Sequence, residues 1–297
     1  MNVAITGASG FVGVNLEHYL QDKHAIKALR IRYISNQQFD LQFEGIIHLA
    51  GKVHDLKKVS NSSDYYEANF ELTKQLFDSF LISTASVFIF MSTVKAAADI
   101  VHGVLTEDVL PNPKTHYGIA KLQAEQYILS QELPEGKRVY VLRPCMIHGP
   151  ENKGNLNLLY QLVSKGVPWP LGDFENKRSF LSIENLCFVI KQLLENTAIP
   201  SGVYQISDDV SLSTNELIHL LCISLDKKDH ILNIPASWIK GLAKLGDYLY
   251  LPLNSDRLQK LTENYVVSNQ KIVAAIGKPL PIGSKEGLLK TFDSFKK

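Results

Sequence analysis

The run Thr6-Gly7-Ala8-Ser9-Gly10-Phe11-Val12-Gly13 constrains the fold of this chain more than any other segment. It follows a short apolar run at 2–6 and precedes 11–21, whose apolar spacing fits a helix. Glycines at every third position allow a tight turn and a close backbone approach. The helix amino terminus adds unpaired N–H groups and a positive dipole end. This arrangement suits a dinucleotide pyrophosphate, so Gly7, Ser9, Gly10, Phe11, Val12 and Gly13 are candidate binding residues. Glycines alone also mark ordinary turns; the position between strand and helix favours the binding site.

The first half of the chain repeats this alternation. Strand-like runs at 26–29, 45–49, 87–91 and 139–142 are interleaved with helical periodicity at 65–83 and 117–131. Short, wholly apolar strands separated by helices predict an α/β fold: a doubly wound parallel sheet of Rossmann type covered on both faces. After Gly149-Pro150 the pattern becomes richer in turns. We expect a nucleotide-binding domain at 1–150, a return segment near 182–200, and a smaller α-rich substrate domain at 151–297. The stretch 231–253 is interrupted by Pro235, Lys240, Lys244, Asp247 and Pro252, and reads as a surface helix pair with one apolar face.

Composition narrows the functional classes. Lys and Arg number 31 against 30 Asp and Glu, which gives no basic excess for nucleic acid or a charged membrane surface. No run reaches the roughly 18 apolar residues of a membrane span, and the start is not read as a signal peptide. Cys145, Cys187 and Cys222 are too few and too scattered for a disulfide framework or a zinc site, so a reducing cytoplasm and no metal are expected.

The second strand ends Ala28-Leu29-Arg30-Ile31-Arg32. An acid at about this distance from the glycines would bind the ribose hydroxyls of NAD. Arg30 stands there instead, and its guanidinium suits a 2′-phosphate. NADP(H) is therefore preferred to NAD(H), with a solvated strand end as the plainer alternative.

Tyr117-Gly118-Ile119-Ala120-Lys121 places a phenol and an ammonium on one helical face. A positive charge from Lys121 and a nicotinamide ring is expected to lower the phenol's pKa, so that Tyr117 exchanges a proton as hydride moves. Upstream, Met91-Ser92-Thr93 ends a buried strand in hydroxyls that face the ligand crevice. Thr93 is the expected partner of Tyr117, with Ser92 competing. His48, His54 and His148 read as packing residues.

These motifs together resemble the extended short-chain dehydrogenase/reductase superfamily, in its nucleotide-sugar epimerase/dehydratase/reductase branch. TGASGFVG, FDL at 39–41, IIHLAG at 46–51, Asn69 in YYEANF, FMST, YGIAK, LRPCMIHGP and KRSFLSIENL fall in that family's order. The resemblance implies that Thr93, Tyr117 and Lys121 are catalytic, with Lys121 also holding the nicotinamide ribose. It implies that Asp40 and Leu41 border the adenine, that Leu49, Ala50, Gly51 and Asn69 belong to the cofactor site, and that Pro144, Met146 and Ile147 lie near the nicotinamide. On the substrate side it implies Asn155 at the phosphates, the loop of Pro170 and Leu171 at the base, and Arg178 and Arg257 at the diphosphate. Lys95 is expected to face the sugar, contacting a polar substituent or closing a salt bridge, with a surface placement as the alternative. A homodimer is expected by resemblance alone. The segment 25–41 is short for the family, and the acidic pair of dehydratases is missing after Thr93.

Three functions follow. The first is reduction of a 4-keto nucleotide sugar, UDP-linked, by NADPH; the whole-chain pattern is similar to enzymes making UDP-N-acetylquinovosamine. The second is a UDP-hexose 4-epimerase with tightly bound NAD. The third is a catalytically silent nucleotide sensor, against which the intact Thr93/Tyr117/Lys121 set argues.

Overall fold

The computed structural model describes residues 1–52, 62–152, 154–249 and 254–296, and all structural statements concern these. In chain order the elements are β1 (Asn2–Thr6), α1 (Phe11–Leu20), β2 (Ala25–Leu29), β3 (Gly45–His48), α2 (Ser62–Tyr66), a π-helical turn (Glu67–Glu71), α3 (Leu72–Ile82) and β4 (Val87–Met91). A 3₁₀ turn (Val94–Ala96), β5 (Val104–Leu105), α4 (His116–Ser130), β6 (Arg138–Pro144), β7 (Met146–His148), α5 (Asn155–Ser164) and β8 (Phe180–Ser182) follow. The rest is α6 (Ile183–Glu195), β9 (Gly202–Ile206), α7 (Thr214–Ser224), α8 (Ala236–Leu249), α9 (Ser255–Thr262), β10 (Val266–Val267), α10 (Gln270–Ile276) and α11 (Ser284–Ser294).

Six strands form one sheet in the order β2-β1-β3-β4-β6-β9, with every neighbouring pair parallel. All residues of β3 and β4 are buried, as strands covered on both faces must be. Alternate residues supply the two faces. Ile5, Ile47 and Ile89 pack with Leu16 of α1 and Val189 of α6. Ala4, Ile46 and Phe88 pack with Phe77 of α3 and Ile128 of α4. Each buried aromatic or branched side chain adds about 1.5–3 kcal/mol. The chain leaves β1 for β2 on one side and returns to β3 on the other. The carboxyl ends of β1 and β3 therefore flank the crevice where doubly wound sheets bind ligands.

The last strand, β9, was not expected from the sequence, although the return segment before it was. The Ser182 hydroxyl accepts the Asn185 N–H and starts α6. That helix packs beside α1, and β9 then joins β6. A second core lies in the C-terminal half, where Trp169, Leu171, Leu217, Leu221, Leu288 and Phe292 meet. The 231–253 stretch differs from the expected helix pair. Ile231 and Asn233 bridge to Trp169 and Leu171, and one helix, α8, follows. Residues 250–253 lie outside the described residues. No described helix is long and apolar enough to cross a membrane.

Candidate active site

The glycine run forms a cradle. Gly7 has φ +68°, and a Cβ there would stand 2.8 Å from the Ala50 nitrogen. A Cβ on Gly13 would lie 2.5 Å from the Gly7 oxygen, so α1 is pressed onto the turn. A buried network fixes the facing strand. Thr73 donates to the Asn69 carbonyl at 2.9 Å, so its oxygen accepts from His48 Nε2 at 3.0 Å. His48 Nδ1 then accepts from Thr6 Oγ1 at 2.7 Å, and Thr6 Oγ1 accepts the Ala50 N–H at 3.1 Å. Burial first, and then the Lys121 charge, push His48 down to about 3, so it stays neutral. His48 is thus a packing residue with a definite tautomer. His54 lies outside the described residues.

A cavity of about 780 Å³ opens beside this cradle, lined by Gly7, Ser9, Arg30, Arg32, Phe39 and Ala50 among others. Its place, its glycine cradle and its basic wall fit the adenosine half of a dinucleotide. Arg30 is exposed at its rim, as expected. Asp40 and Leu41 are not at this cavity. Leu41 is buried among Phe77 and Phe80, and exposed Asp40 accepts from Gln42 Nε2 at 3.1 Å. From the loop after β2, Ile31, Ile34, Gln37 and Phe39 reach the cavity beside the two arginines.

Asn69 sits in the π-helical turn, fully buried. Its amide donates to the carbonyls of Lys52 and Tyr65, both at 3.0 Å, and its oxygen accepts the Lys52 N–H at 3.1 Å. A Cβ on Gly51 would meet Asn69 Oδ1 at 2.5 Å and Lys121 Nζ at 3.1 Å. Leu49, Ala50 and Gly51 thereby join the cradle to the lysine. Pro144 is buried at the end of β6, and Met146 and Ile147 lie half-buried on β7.

The three catalytic candidates meet where β4 ends and α4 begins. Thr115 caps α4 by accepting the Gly118 N–H at 3.1 Å, which sets the first turn carrying Tyr117. The Thr93 side chain lies near enough to the Tyr117 phenol to act on its pKa. Lys121 Nζ donates to the Met91 carbonyl at 2.9 Å and lies 4.6 Å from the Phe90 ring centre. The expected lowering of the phenol pKa counts on a nicotinamide charge; the protein's own groups, taken together, act the other way. Burial raises Tyr117 to about 12, against the weaker opposing effect of Thr93. Lys121 is itself lowered to about 7 by burial, with Glu125 opposing. In both groups desolvation outweighs the opposing neighbour.

Ser92 is not a second catalytic hydroxyl. It is buried and donates to Glu125, which also takes both Arg143 Nε contacts at 3.0 Å. This Glu125–Arg143 pair escaped the sequence reading, although Tyr117, Lys121 and Glu125 stand at four-residue intervals on one helical face. His148 is fully buried, bonded through Nδ1 to Thr291 at 2.9 Å, with Nε2 3.5 Å from Asp208. It too is a packing residue.

The substrate side begins at Lys95. Its ammonium donates to the Asp99 carbonyl at 2.9 Å and lies 4.2 Å from the Tyr265 ring centre. Arg178 is half-buried, bonds the Lys260 carbonyl, and has Glu263 Oε1 3.8 Å away. Lys95 and Arg178 are close enough that each feels Glu263, and burial lowers both. Arg257 lies exposed on the first turn of α9. Leu171 is buried and Pro170 half-buried in the loop bridged to 231–233. Asn155 opens α5, but its side chain lies outside the described residues.

Residues 3–207 match the family model described as "NAD dependent epimerase/dehydratase family". The chain is 29% identical to UDP-glucose 4-epimerase of Vibrio cholerae over 323 residues, covering 99% of this chain and 95% of that protein. It is 25% identical to GDP-6-deoxy-D-mannose reductase of Pseudomonas aeruginosa over 252 residues, covering 78% and 83%. The solved structure of RMD from Pseudomonas aeruginosa complexed with NADPH matches with a TM-score of 0.74 and 20% identity, covering 100% of both chains. This likeness shows the fold.

Proposed function

The chain belongs to the NAD dependent epimerase/dehydratase family, and from that premise we propose that it reduces a 4-keto group on a UDP-linked sugar with NADPH. One observation carries the choice of reduction: Arg30 and Arg32 form the wall of the cavity where a ribose-binding acid would stand. The bound cofactor supplies the hydride. Gly7–Gly13 cradle its pyrophosphate and Lys121 holds its ribose. Thr93 orients Tyr117, whose phenol gives its proton to the oxygen at C4. The sum is one hydride and one proton added across the carbonyl, and solvent returns the proton to Tyr117. Burial keeps the Tyr117 phenol protonated before hydride transfer. Arg178 and Arg257 bind the diphosphate, Asn155 contacts its phosphates, the loop of Pro170 and Leu171 holds the base, and Lys95 faces the sugar. A cytoplasmic homodimer completes the proposal; three unpaired, buried cysteines support a reducing compartment.

The second reading is 4-epimerisation, favoured by the near full-length similarity to a UDP-glucose 4-epimerase. The same residues would serve, with the hydride returned to the opposite face of the ring. Cofactor affinities separate the two. Wild type should bind NADPH more tightly than NADH, and Arg30→Asp should lose about 10–100-fold of that NADPH affinity, the worth of a charge-assisted contact. Co-purification of NAD with the wild-type protein would turn the assignment to the epimerase.

A further inference from the structure

On the reading just given, we propose that Tyr265 is a positioning residue that ties the diphosphate-binding arginine to the catalytic hydroxyl Thr93. Its backbone straddles Arg178: the Tyr265 N–H donates to the Lys177 carbonyl at 2.8 Å, and its carbonyl accepts the Ser179 N–H at 2.9 Å. Its side chain reaches the other way. The buried hydroxyl donates to the Ala98 carbonyl at 2.6 Å, and the Val94 carbonyl lies 3.3 Å away. Val94 begins the turn that Thr93 opens and Ala98 follows that turn, its N–H bonded back to the Val94 carbonyl at 3.1 Å; Thr93 Oγ1 also accepts the Lys95 N–H at 3.2 Å.

The opposite side of this turn is pressed against the proton donor. A Cβ on Gly118 would stand 2.5 Å from the Lys95 carbonyl, and Gly118 follows Tyr117. The turn is therefore clamped between the Tyr265 hydroxyl and the first residues of α4. The Tyr265 ring beneath the Lys95 ammonium closes the same side. A nucleotide sugar drawing on Arg178 pulls on Tyr265, which is bridged to it just before β10. The motion is transmitted to the turn that aligns Thr93 with Tyr117. Binding at the diphosphate thus sets the geometry at the reacting oxygen.

Tyr265→Phe keeps the ring under Lys95 and the backbone pairing, and removes only the hydroxyl. For reduction of a 4-keto UDP-sugar by NADPH, kcat should fall about tenfold while KM and cofactor affinity stay within about twofold. Adding Tyr265→Phe to Thr93→Val should cost nothing more, because Tyr265 acts through Thr93. A fully additive loss in the double variant would overturn the proposal.

Hydrogen exchange gives a readout that needs no turnover. Amides of 94–99 should exchange about tenfold faster in Tyr265→Phe than in wild type. UDP should slow exchange at 177–179 in both proteins, but at 94–99 only in wild type. Equal exchange of 94–99 in the two unliganded proteins overturns the positioning role. A wild type without turnover on any 4-keto UDP-sugar overturns the proposed reduction instead, and the exchange comparison still decides the role of Tyr265.

Discussion

At the residue scale, the site is governed by desolvation. Tyr117 rises to about 12 and Lys121 falls to about 7, both because burial disfavours the charged form. Tyr117→Phe removes one hydroxyl, so the variant should fold and bind NADPH, while turnover falls about 10²–10⁴-fold. Steady-state kinetics beside a cofactor titration check this; near-wild-type turnover would move the acid elsewhere. The lysine makes a separate prediction. Its ammonium is the form that donates to ribose hydroxyls, so NADPH affinity should weaken as pH rises through about 7. Measured in the Tyr117→Phe background, the dependence belongs to Lys121, and it should vanish on adding Lys121→Met.

At the element scale, α4 would do three tasks with one face: in the proposed function Tyr117 serves the reaction and Lys121 the cofactor, while Glu125 holds the buried Arg143. The last pair joins α4 to β6, with both side chains at most 5% exposed. Glu125→Ala would leave the Arg143 guanidinium buried without its counter-charge, at a cost of about 3–5 kcal/mol. Urea denaturation should show that loss; a change below about 1 kcal/mol would mean water reaches the pair. The helix itself was legible from sequence to within one residue at each end, because its apolar and small residues repeat with helical spacing. The segment 65–83 was legible only as helical. Its π-helical turn is held by Asn69 bonds to Lys52 and Tyr65, and no periodicity encodes such a tertiary bond. β9 was missed because Gly-Val-Tyr-Gln-Ile carries a buried Gln205 where an apolar residue would mark a strand. Thr93, Tyr117, Lys121 and Arg30 could be named as candidates from sequence because their spacing from the glycines carries the chemistry. Asp40 and Leu41 do not line the cavity beside the glycine cradle, whereas Phe39 just before them does.

At the scale of the whole molecule, His48 links acid sensitivity to the crevice. Its folded value is about 3 against 6.5 unfolded, so the unfolded chain binds the extra proton between those values. Stability is therefore complete above pH 6.5 and is lost progressively as pH falls toward 3. Thermal melts should show this decline, and His48→Asn should flatten it while lowering stability at pH 8. The layout of the sheet has a further effect. Its sixth strand and the helix covering Ile5, Ile47 and Ile89 come from beyond residue 180. A fragment ending at 150 should aggregate and show no cooperative melt. During synthesis the ribosome must add residues 151–201 before Gly202–Ile206 can dock on β6. At about 5–20 residues per second the nascent chain spends roughly 3–10 s with that apolar face uncovered. Co-expression of a holdase chaperone should therefore raise the soluble yield of this protein without changing the stability of the finished fold.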